Sequence, residues 1–254
     1  MKEIVKFIKE GLKITSKTKV DKYNYHPKTK EELHYLLKEL MHECGNECDF
    51  NDIDTSEITD MSNLFDGIDK FNGDISNWDV SNVTDMSFMF CGCRSFNSDI
   101  SNWDVSKVTN MKYMFYRCES FNQDISNWDV GNVKDMTYMF YGCESFNQPL
   151  NKWNVSNVTD MSFMFCMCKL FNQNISNWDV SNVTNMMSIF YGCELFNQTL
   201  NKWDMSNVIN TKFMFFGCKS FNRDISQWDV SKVIRKEFMF EHCTIEEKYK
   251  PKFK

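Results

Sequence analysis

The residues best suited to chemistry in this 254-residue chain are its 11 cysteines. Seven of them recur every 25 residues: Cys93, Cys118, Cys143, Cys168, Cys193, Cys218 and Cys243. An odd number of cysteines cannot pair completely within one chain, and free cysteine is among the most buried residue types. We therefore interpret the column as buried, reduced thiols. Disulfides between neighbouring repeats are the alternative, if the repeats bring the Cα atoms within bonding range.

The other cysteines form a weaker metal-binding pattern. They are Cys44, Cys48, Cys91 and Cys166. Cys44 and Cys48 follow His42 in an H-x-C-x-x-x-C motif, and His34 lies two helical turns earlier. A structural zinc site needs four Cys or His ligands at standard spacing, which this segment lacks. We predict no metal and no other cofactor, and we interpret the motif as a helix end followed by a loop.

A column of carboxylates is the third chemical candidate. It consists of Asp79, Asp104, Asp129, Asp179, Asp204 and Asp229, with Asn154 at the remaining position. Like charges in register repel each other. The carboxylates therefore either bond to amides or hydroxyls of neighbouring repeats, or form an acidic face for a basic protein or for calcium. The G-G-x-G-x-D calcium pattern is absent from the sequence, and the six aspartates are our candidate binding residues.

Several function classes are disfavoured by motif and composition. The sequence has no G-x-S-x-G, phosphate-loop or H-E-x-x-H motif, so we predict that the protein is not an enzyme. A net charge of −6 argues against nucleic-acid binding, which usually shows a basic stripe. No run approaches the roughly 20 apolar residues of a membrane span. The first residues lack the apolar core of a secretory signal, and the expected location is the cytoplasm.

The 25-residue interval is also the period of the elements that must position these residues. All seven tryptophans lie on it, from Trp78 to Trp228, as does a Phe-Asn pair from Phe71-Asn72 to Phe221-Asn222. Burying the roughly nine apolar side chains of one unit would not offset the cost of ordering 25 residues. The units must therefore stack on one another, with the Asn column as an internal ladder that satisfies turn amides.

Two periodicities within a unit predict two elements. Trp78 and Val80 alternate with polar neighbours, which favours a short strand with one buried face. The spacing i, i+3, i+4, i+7, typical of a short helix, is shown by Met86, Met89, Phe90 and Cys93. The predicted fold is an α/β solenoid with one short strand and one short helix in each 25-residue repeat.

A helical N-terminal capping module is predicted over residues 1–49. A weak amphipathic helix covers about residues 3–14. The pair Thr29 and Glu32 has the spacing of a capping box and begins a helix predicted over residues 30–44.

The repeat solenoid is predicted over residues 50–245. It begins with a degenerate repeat at 50–70 and continues with seven repeats at 71–245. Residues 246–254 form a charged C-terminal tail.

These repeats resemble a known family. The run WDVSNVTDMSFMF-x-GC-x-SFN-x-DIS, with the lead-in segments YHPKTKEELHYLLKEL and IDTSEITDMSNLF, is similar to the units of BspA-like leucine-rich-repeat surface proteins and mycoplasma lipoproteins. The resemblance covers about residues 24–245. It implies a leucine-rich-repeat-like solenoid with a non-enzymatic adhesion or interaction role, and it transfers no catalytic residue. A surface location follows only from this resemblance.

The first functional hypothesis is a scaffold that binds a protein partner through an exposed repeat face. The face is either the Asp column or a set of positions that vary between repeats: Arg94, Glu119, Glu144, Lys169, Glu194 and Lys219. The alternative is a self-associating component of a shell or filament that uses the solenoid ends. An enzymatic function would require catalytic chemistry by the histidines and cysteines of the N-terminal capping module.

Overall fold

The repeats of this protein are coils that stack in parallel. The computed structural model describes residues 22–253. Backbone positions one unit apart form isolated parallel bridges, from Asp60–Asp85 to Asn210–Arg235. In the described range there is no regular strand, and the one α-helix is α1, Lys30–Cys44; a 3-10 turn spans Glu247–Tyr249. The predicted α/β solenoid with a strand and a helix in every repeat is therefore wrong. The helix expected at 3–14 lies outside the described residues.

The segment predicted as a helix is a series of overlapping β-turns. Amides of Met89, Cys91 and Cys93 each donate to the carbonyl three residues earlier, at 3.0–3.2 Å. The intervening amides donate to carbonyls of the next coil, and they belong to Met86, Phe88, Phe90 and Gly92. Phe88 (φ 57°) and Gly92 (φ 75°) lie in the left-handed region, which a right-handed helix excludes. The chain therefore exchanges helical hydrogen bonds for bonds between coils.

Turns also replace the predicted strand. The amide of Trp78 donates to the carbonyl of Ile75 at 3.2 Å, and that of Val83 to the carbonyl of Val80 at 2.9 Å. Between them the Asp79 carboxylate accepts the amide of Ser81 at 3.0 Å. These three amides are satisfied within the coil and not by a strand ladder, although Trp78 and Val80 are buried as the alternation predicts.

The core is a set of side-chain columns that run along the stack. In the unit 71–95 the buried positions are Phe71, Ile75, Trp78, Val80, Val83, Met86, Met89, Phe90 and Cys93, each no more than 4% exposed. Rings of Phe90, Phe115 and Phe140 stack nearly parallel with centroids 5.6 Å apart. Each tryptophan indole donates its N–H to a carbonyl of the preceding coil at 2.9–3.2 Å. Burial was thus predicted correctly, and the indole bonds add a directional contact between coils.

The predicted Asn ladder is confirmed. The side-chain Oδ1 of each Asn accepts the backbone amide of the Asn 25 residues later, from Asn72 to Asn222, at 2.8–3.1 Å. The ladder ends where Asn222 accepts the amide of Glu246. These bonds satisfy turn amides that would otherwise lack partners inside the stack.

Replacing Asn147 by Ala is expected to lower the free energy of unfolding by about 1–2 kcal/mol, because it removes the acceptor of a half-buried amide. That amide belongs to Asn172 and lies 2.9 Å from Oδ1 of Asn147. The loss is measured as a shift in the midpoint of urea unfolding, with the slope of the transition unchanged. The matched variant Asn147→Asp keeps an acceptor oxygen and should lose less. An equal loss in both variants would refute the ladder's contribution.

Both ends of the stack are covered, by different means. Helix α1 begins at the N-cap Thr29, whose side chain accepts the amide of Glu32, as the capping box predicts. Its residues Leu33, Leu36 and Leu37 are buried against the first coil, which is the degenerate repeat at 50–70. At the other end the tail packs onto the core through partly buried Tyr249 and Phe253. The tail is therefore an apolar cover as well as a charged segment.

Candidate interaction faces

The aspartates predicted as binding residues lie exposed at one turn of each coil. Each carboxylate accepts the amide two residues later in its own coil, at 2.9–3.0 Å. The bond predicted to a neighbouring repeat is therefore local. Hydrogen bonds from the side chain and backbone of Ser106 lower the pKa of Asp104, and those of Ser181 do the same for Asp179. The column is an ordered acidic strip with a structural role in its turns.

The variable positions proposed for partner recognition form ion pairs between coils. Arg94 lies 3.3 Å from Glu119, Lys169 lies 2.7 Å from Glu144, and a third pair joins Lys219 to Glu194 at 3.0 Å. Exposed pairs of this kind contribute little to stability. Each of these three pairs places opposite charges on neighbouring coils, whereas Glu119 and Glu144 place like charges on adjacent coils.

The cysteines of the thiol column form no disulfides, and most of them are buried. Six of its seven members are 0% exposed, and Cys243 is half-buried. Each of the six sulfur atoms lies 2.9–3.0 Å from a carbonyl of the preceding coil, as Cys143 does from Phe115. Burial raises the pKa of Cys118 and Cys168 well above the ordinary range. The column therefore holds neutral thiols that act as small core side chains.

Labelling of the native protein with a thiol reagent at pH 8 is expected to modify at most Cys91 and Cys243, the two half-buried free thiols. Burial, with a smaller contribution from Asp66, raises the pKa of Cys91 to about 12, so even this thiol should react slowly. Labelling after unfolding should reach all nine free cysteines, counted by mass spectrometry. Rapid native modification of the buried column would contradict this arrangement.

The H-x-C-x-x-x-C motif of the N-terminal capping module is not a metal centre in this structure. A disulfide joins Cys44, the last residue of α1, to Cys48, where the sequence predicted a helix end followed by a loop. Nowhere in residues 22–253 do three His, Cys, Asp or Glu side chains gather as a metal site would require. No helix of the same range is long and apolar enough to cross a membrane.

Another exposed surface, which we call the aromatic face, runs along the stack. It contains two columns of ring side chains. The first is Phe88, Tyr113, Tyr138, Phe163, Phe213 and Phe238; the second is Tyr116, Tyr141, Tyr191 and Phe216. Nine of the ten are half-buried and Phe238 is 55% exposed. Large contiguous apolar surface of this kind marks interaction sites.

Stacking makes the aromatic face rigid. Successive rings of the first column, from Phe88 through Tyr113 and Tyr138 to Phe163, lie 4.3–4.6 Å apart. In the second column Tyr116 and Tyr141 lie 4.8 Å apart. Every residue of the first column has a positive φ, an uncommon conformation for a bulky residue. Burial, with a smaller contribution from Tyr113, raises the pKa of Tyr138 to about 12, so its phenol is neutral.

Basic side chains border this face. Lys112 lies over the ring of Tyr113 at 5.6 Å, Arg117 over Tyr116 at 5.7 Å, and Lys212 over Phe213 at 5.2 Å. These cation–π contacts hold positive charge beside the rings of a protein whose net charge is negative.

Sequence reasoning missed the aromatic face as a functional candidate. The signal was present, since the residue two places after Met86, Met111, Met136 and Met161 is always Phe or Tyr. A helical interpretation of the segment gave these residues no separate face. Their exposure depends on the left-handed turn at each position, which the spacing of apolar residues does not reveal.

Comparison with known proteins agrees with the repeat architecture. One family model matches the chain twice, over residues 36–153 and 138–251. Neither a curated protein nor a solved structure matches. The two matches together run from within α1 to residue 251 of the tail, and the chain belongs to the family described as Mycoplasma protein of unknown function, DUF285.

Proposed function

We propose that this protein is a non-enzymatic interaction module that binds a protein partner through the aromatic face. The observation that carries the proposal is the pair of stacked, partly exposed ring columns. Tyr, Phe and Arg are enriched in protein interfaces relative to other surface. Rings already fixed by their neighbours lose little conformational freedom on binding, which favours affinity.

The BspA-like relationship expected from the repeat residues supports the same function. Proteins of that type are surface adhesion or interaction proteins without catalytic residues. A surface location for this chain is part of the proposal.

The geometry of the ends gives less support to self-association as the function. Helix α1 covers the first coil, so a second copy cannot continue the stack there. At the other end the tail packs onto the core through partly buried Tyr249 and Phe253, so a second copy meets a covered end there as well. A strict monomer at high concentration in sedimentation velocity would exclude end-to-end assembly.

Peptides selected against the native protein from a random display library test the proposal. The variant Tyr113→Ser/Tyr138→Ser removes two rings of the aromatic face. Its matched control, Asp104→Asn/Asp129→Asn, changes the acidic strip of the same two coils and keeps the turn acceptor, as Asn154 does naturally.

Selected peptides are expected to bind the tyrosine variant about tenfold or more weakly than the wild type, as at an interface hot spot. They should bind the aspartate control as tightly as the wild type. Loss only in the aspartate control would assign binding to the acidic strip. Unchanged binding to both variants would exclude both faces.

A further inference from the structure

One coil of the aromatic face carries two cations that no carboxylate neutralises. Lys112 and Arg117 border the rings of Tyr113 and Tyr116, whose centroids lie 5.4 Å apart. The ammonium of Lys112 lies 5.6 Å from the centroid of Tyr113, and the guanidinium of Arg117 lies 5.7 Å from that of Tyr116. Neither charged group forms a hydrogen bond or an ion pair with any residue of the range 22–253.

The backbone at Arg117 has a conformation that favours glycine. Its φ is 58°, and the amide of Arg117 donates to the carbonyl of Tyr141 as the amide of Gly92 does to that of Tyr116. A side chain in the left-handed region costs free energy relative to glycine, and Arg117 has no ion pair to offset that cost. Local stability therefore does not account for the arginine. Five other coils carry glycine at this position, with φ of 69–75°: Gly67, Gly92, Gly142, Gly192 and Gly217.

The adjacent coils carry no charge at the positions of these two cations. Gly92 and Gly142 flank Arg117, and Ser87 and Thr137 flank Lys112. The positive charge of this coil is therefore not cancelled along either column.

A depression of about 320 Å³ beside Arg117 also contains the carboxylates of Asp66 and Asp69. Asp69 lies 3.6 Å from Arg94, which pairs with Glu119 at 3.3 Å on the next coil. Both aspartates belong to the coil two before that of Arg117, roughly 10 Å along the stack at the ordinary spacing of paired backbones. The carboxylates therefore lie at one end of the depression and Arg117 at the other.

A planar guanidinium with free N–H donors matches a carboxylate, which it can bind through two parallel hydrogen bonds. Contact with the ring of Tyr116 already positions the Arg117 guanidinium, so less conformational freedom is lost on binding. Lys112 adds a second positive charge beside the same ring pair and attracts the same kind of group. Charge complementarity at this coil therefore favours an acidic partner, although the whole chain has a net charge of −6.

We propose that the coil of Lys112 and Arg117 binds an acidic segment of the partner protein, with a Glu or Asp carboxylate held by the Arg117 guanidinium. This inference rests on the proposed function, since it names the chemistry of the partner at the aromatic face.

The blocked peptide Glu-Gly-Glu is the probe, and the Nε–Hε resonances of isotope-labelled arginine are the reporter. The chain has four arginines, Arg94, Arg117, Arg223 and Arg235, so single substitutions assign every resonance. The peptide is expected to shift the Arg117 resonance saturably and more than the other three. The neutral peptide Gln-Gly-Gln should bind about fivefold more weakly, on the scale of one exposed ion pair.

The other arginines serve as internal controls. Nε of Arg94 is paired with Glu119, and Nε of Arg223 donates to the carbonyl of Asn197, whereas Arg235 is exposed in the last coil. Equal shifts at Arg117 and Arg235 would mean unspecific pairing and would overturn the proposal. No shift at the highest soluble peptide concentration would do the same. A larger Arg117 shift with inorganic phosphate than with the peptide would assign the site to phosphate and would also overturn it.

Variants of Arg117 test the site directly. Arg117→Met and Arg117→Gly install residues that the same position carries in other coils, as at Met167 and Gly92. Each should abolish the preference for Glu-Gly-Glu over Gln-Gly-Gln without lowering the urea midpoint. A preference that survives both substitutions would overturn the proposal. If both variants fail to fold by circular dichroism, the wild-type arginine shifts alone decide.

The matched control is Lys107→Asn, which removes the same charge from the same coil. Lys107 lies in the turn after Asp104 and contacts Asn82 at 2.7 Å, and the next coil carries Asn132 at its position. This variant should keep the preference for the acidic peptide. An equal loss of preference in Lys107→Asn and Arg117→Met would show that the preference follows net charge, which would overturn the proposal.

The library peptides separate this inference from the proposed function. Peptides enriched in Asp and Glu that bind both Arg117→Met and the Tyr113→Ser/Tyr138→Ser variant more weakly than the wild type support both. Weaker binding to the tyrosine variant alone would overturn the acidic segment and keep the aromatic face. Weaker binding to Arg117→Met alone would keep the acidic segment and remove these rings from the proposed function. Unchanged binding to both variants would overturn both.

Discussion

Replacing Phe140 by Ala is expected to lower the free energy of unfolding by about 3–5 kcal/mol. The ring is 0% exposed and lies at the centre of the main phenylalanine column. Its centroid is 5.6 Å from those of Phe115 and Phe165 in the adjacent coils and 4.4 Å from that of Phe146, six residues later in the chain. Truncation would leave a cavity that neighbouring coils cannot close, because each is held by its own ladder bonds. Urea unfolding followed by tryptophan fluorescence measures the loss.

The control for Phe140→Ala is Leu170→Ala, an apolar residue 47% exposed on the surface. Surface substitutions usually change stability by less than about 0.5 kcal/mol. A changed slope of the urea transition would indicate that the coils no longer unfold together. A loss below about 1 kcal/mol for Phe140→Ala at unchanged slope would mean that the stacked column does not carry the core.

The double substitution Leu33→Ala/Leu37→Ala is expected to uncover the first coil. Both side chains are 0% exposed, and each truncation costs about 2–5 kcal/mol. In a stacked array each coil contacts only its neighbours. Hydrogen exchange should therefore rise strongly over residues 50–68 and stay near wild-type values around Phe190.

The control for the cap changes the opposite side of the same helix. His34 and Lys38 are exposed, and His34→Ala/Lys38→Ala keeps good helix formers there. This variant should leave exchange over residues 50–68 unchanged. Equal effects of the two double variants, or a uniform rise along the stack, would show that α1 does not act as a local cover.

Periodicity predicted burial more accurately than backbone conformation. The stripe that includes Met86, Phe90 and Cys93 is buried as a helix stripe would be. The same spacing is also met by overlapping turns whose alternate amides leave the coil for the next one. Only contacts 25 residues away distinguish the two arrangements, and local pattern carries no information about them. For the same reason Trp78 and Val80 are buried without forming a strand.

The candidate interaction faces were likewise only partly predictable from the sequence. The acidic column was visible in the sequence, and the structure adds that each carboxylate holds its own turn, as Asp104 does with Ser106. The variable charges were visible too, but their pairing across coils depends on the stack. The aromatic face forms only because left-handed turns bring these ring side chains to the surface.

The sequence by itself determined the 25-residue coil length, the core columns, the capping helix and the Asn ladder, because each of these is a residue type repeated at one position or a local capping signal. Tertiary structure alone decided the path of the backbone within a coil and the surface that results. The physical reason is that every second amide in residues 86–92 finds its acceptor in the next coil. Such bonds exist only once the coils are stacked, and they favour left-handed turns over the helix that local spacing predicts.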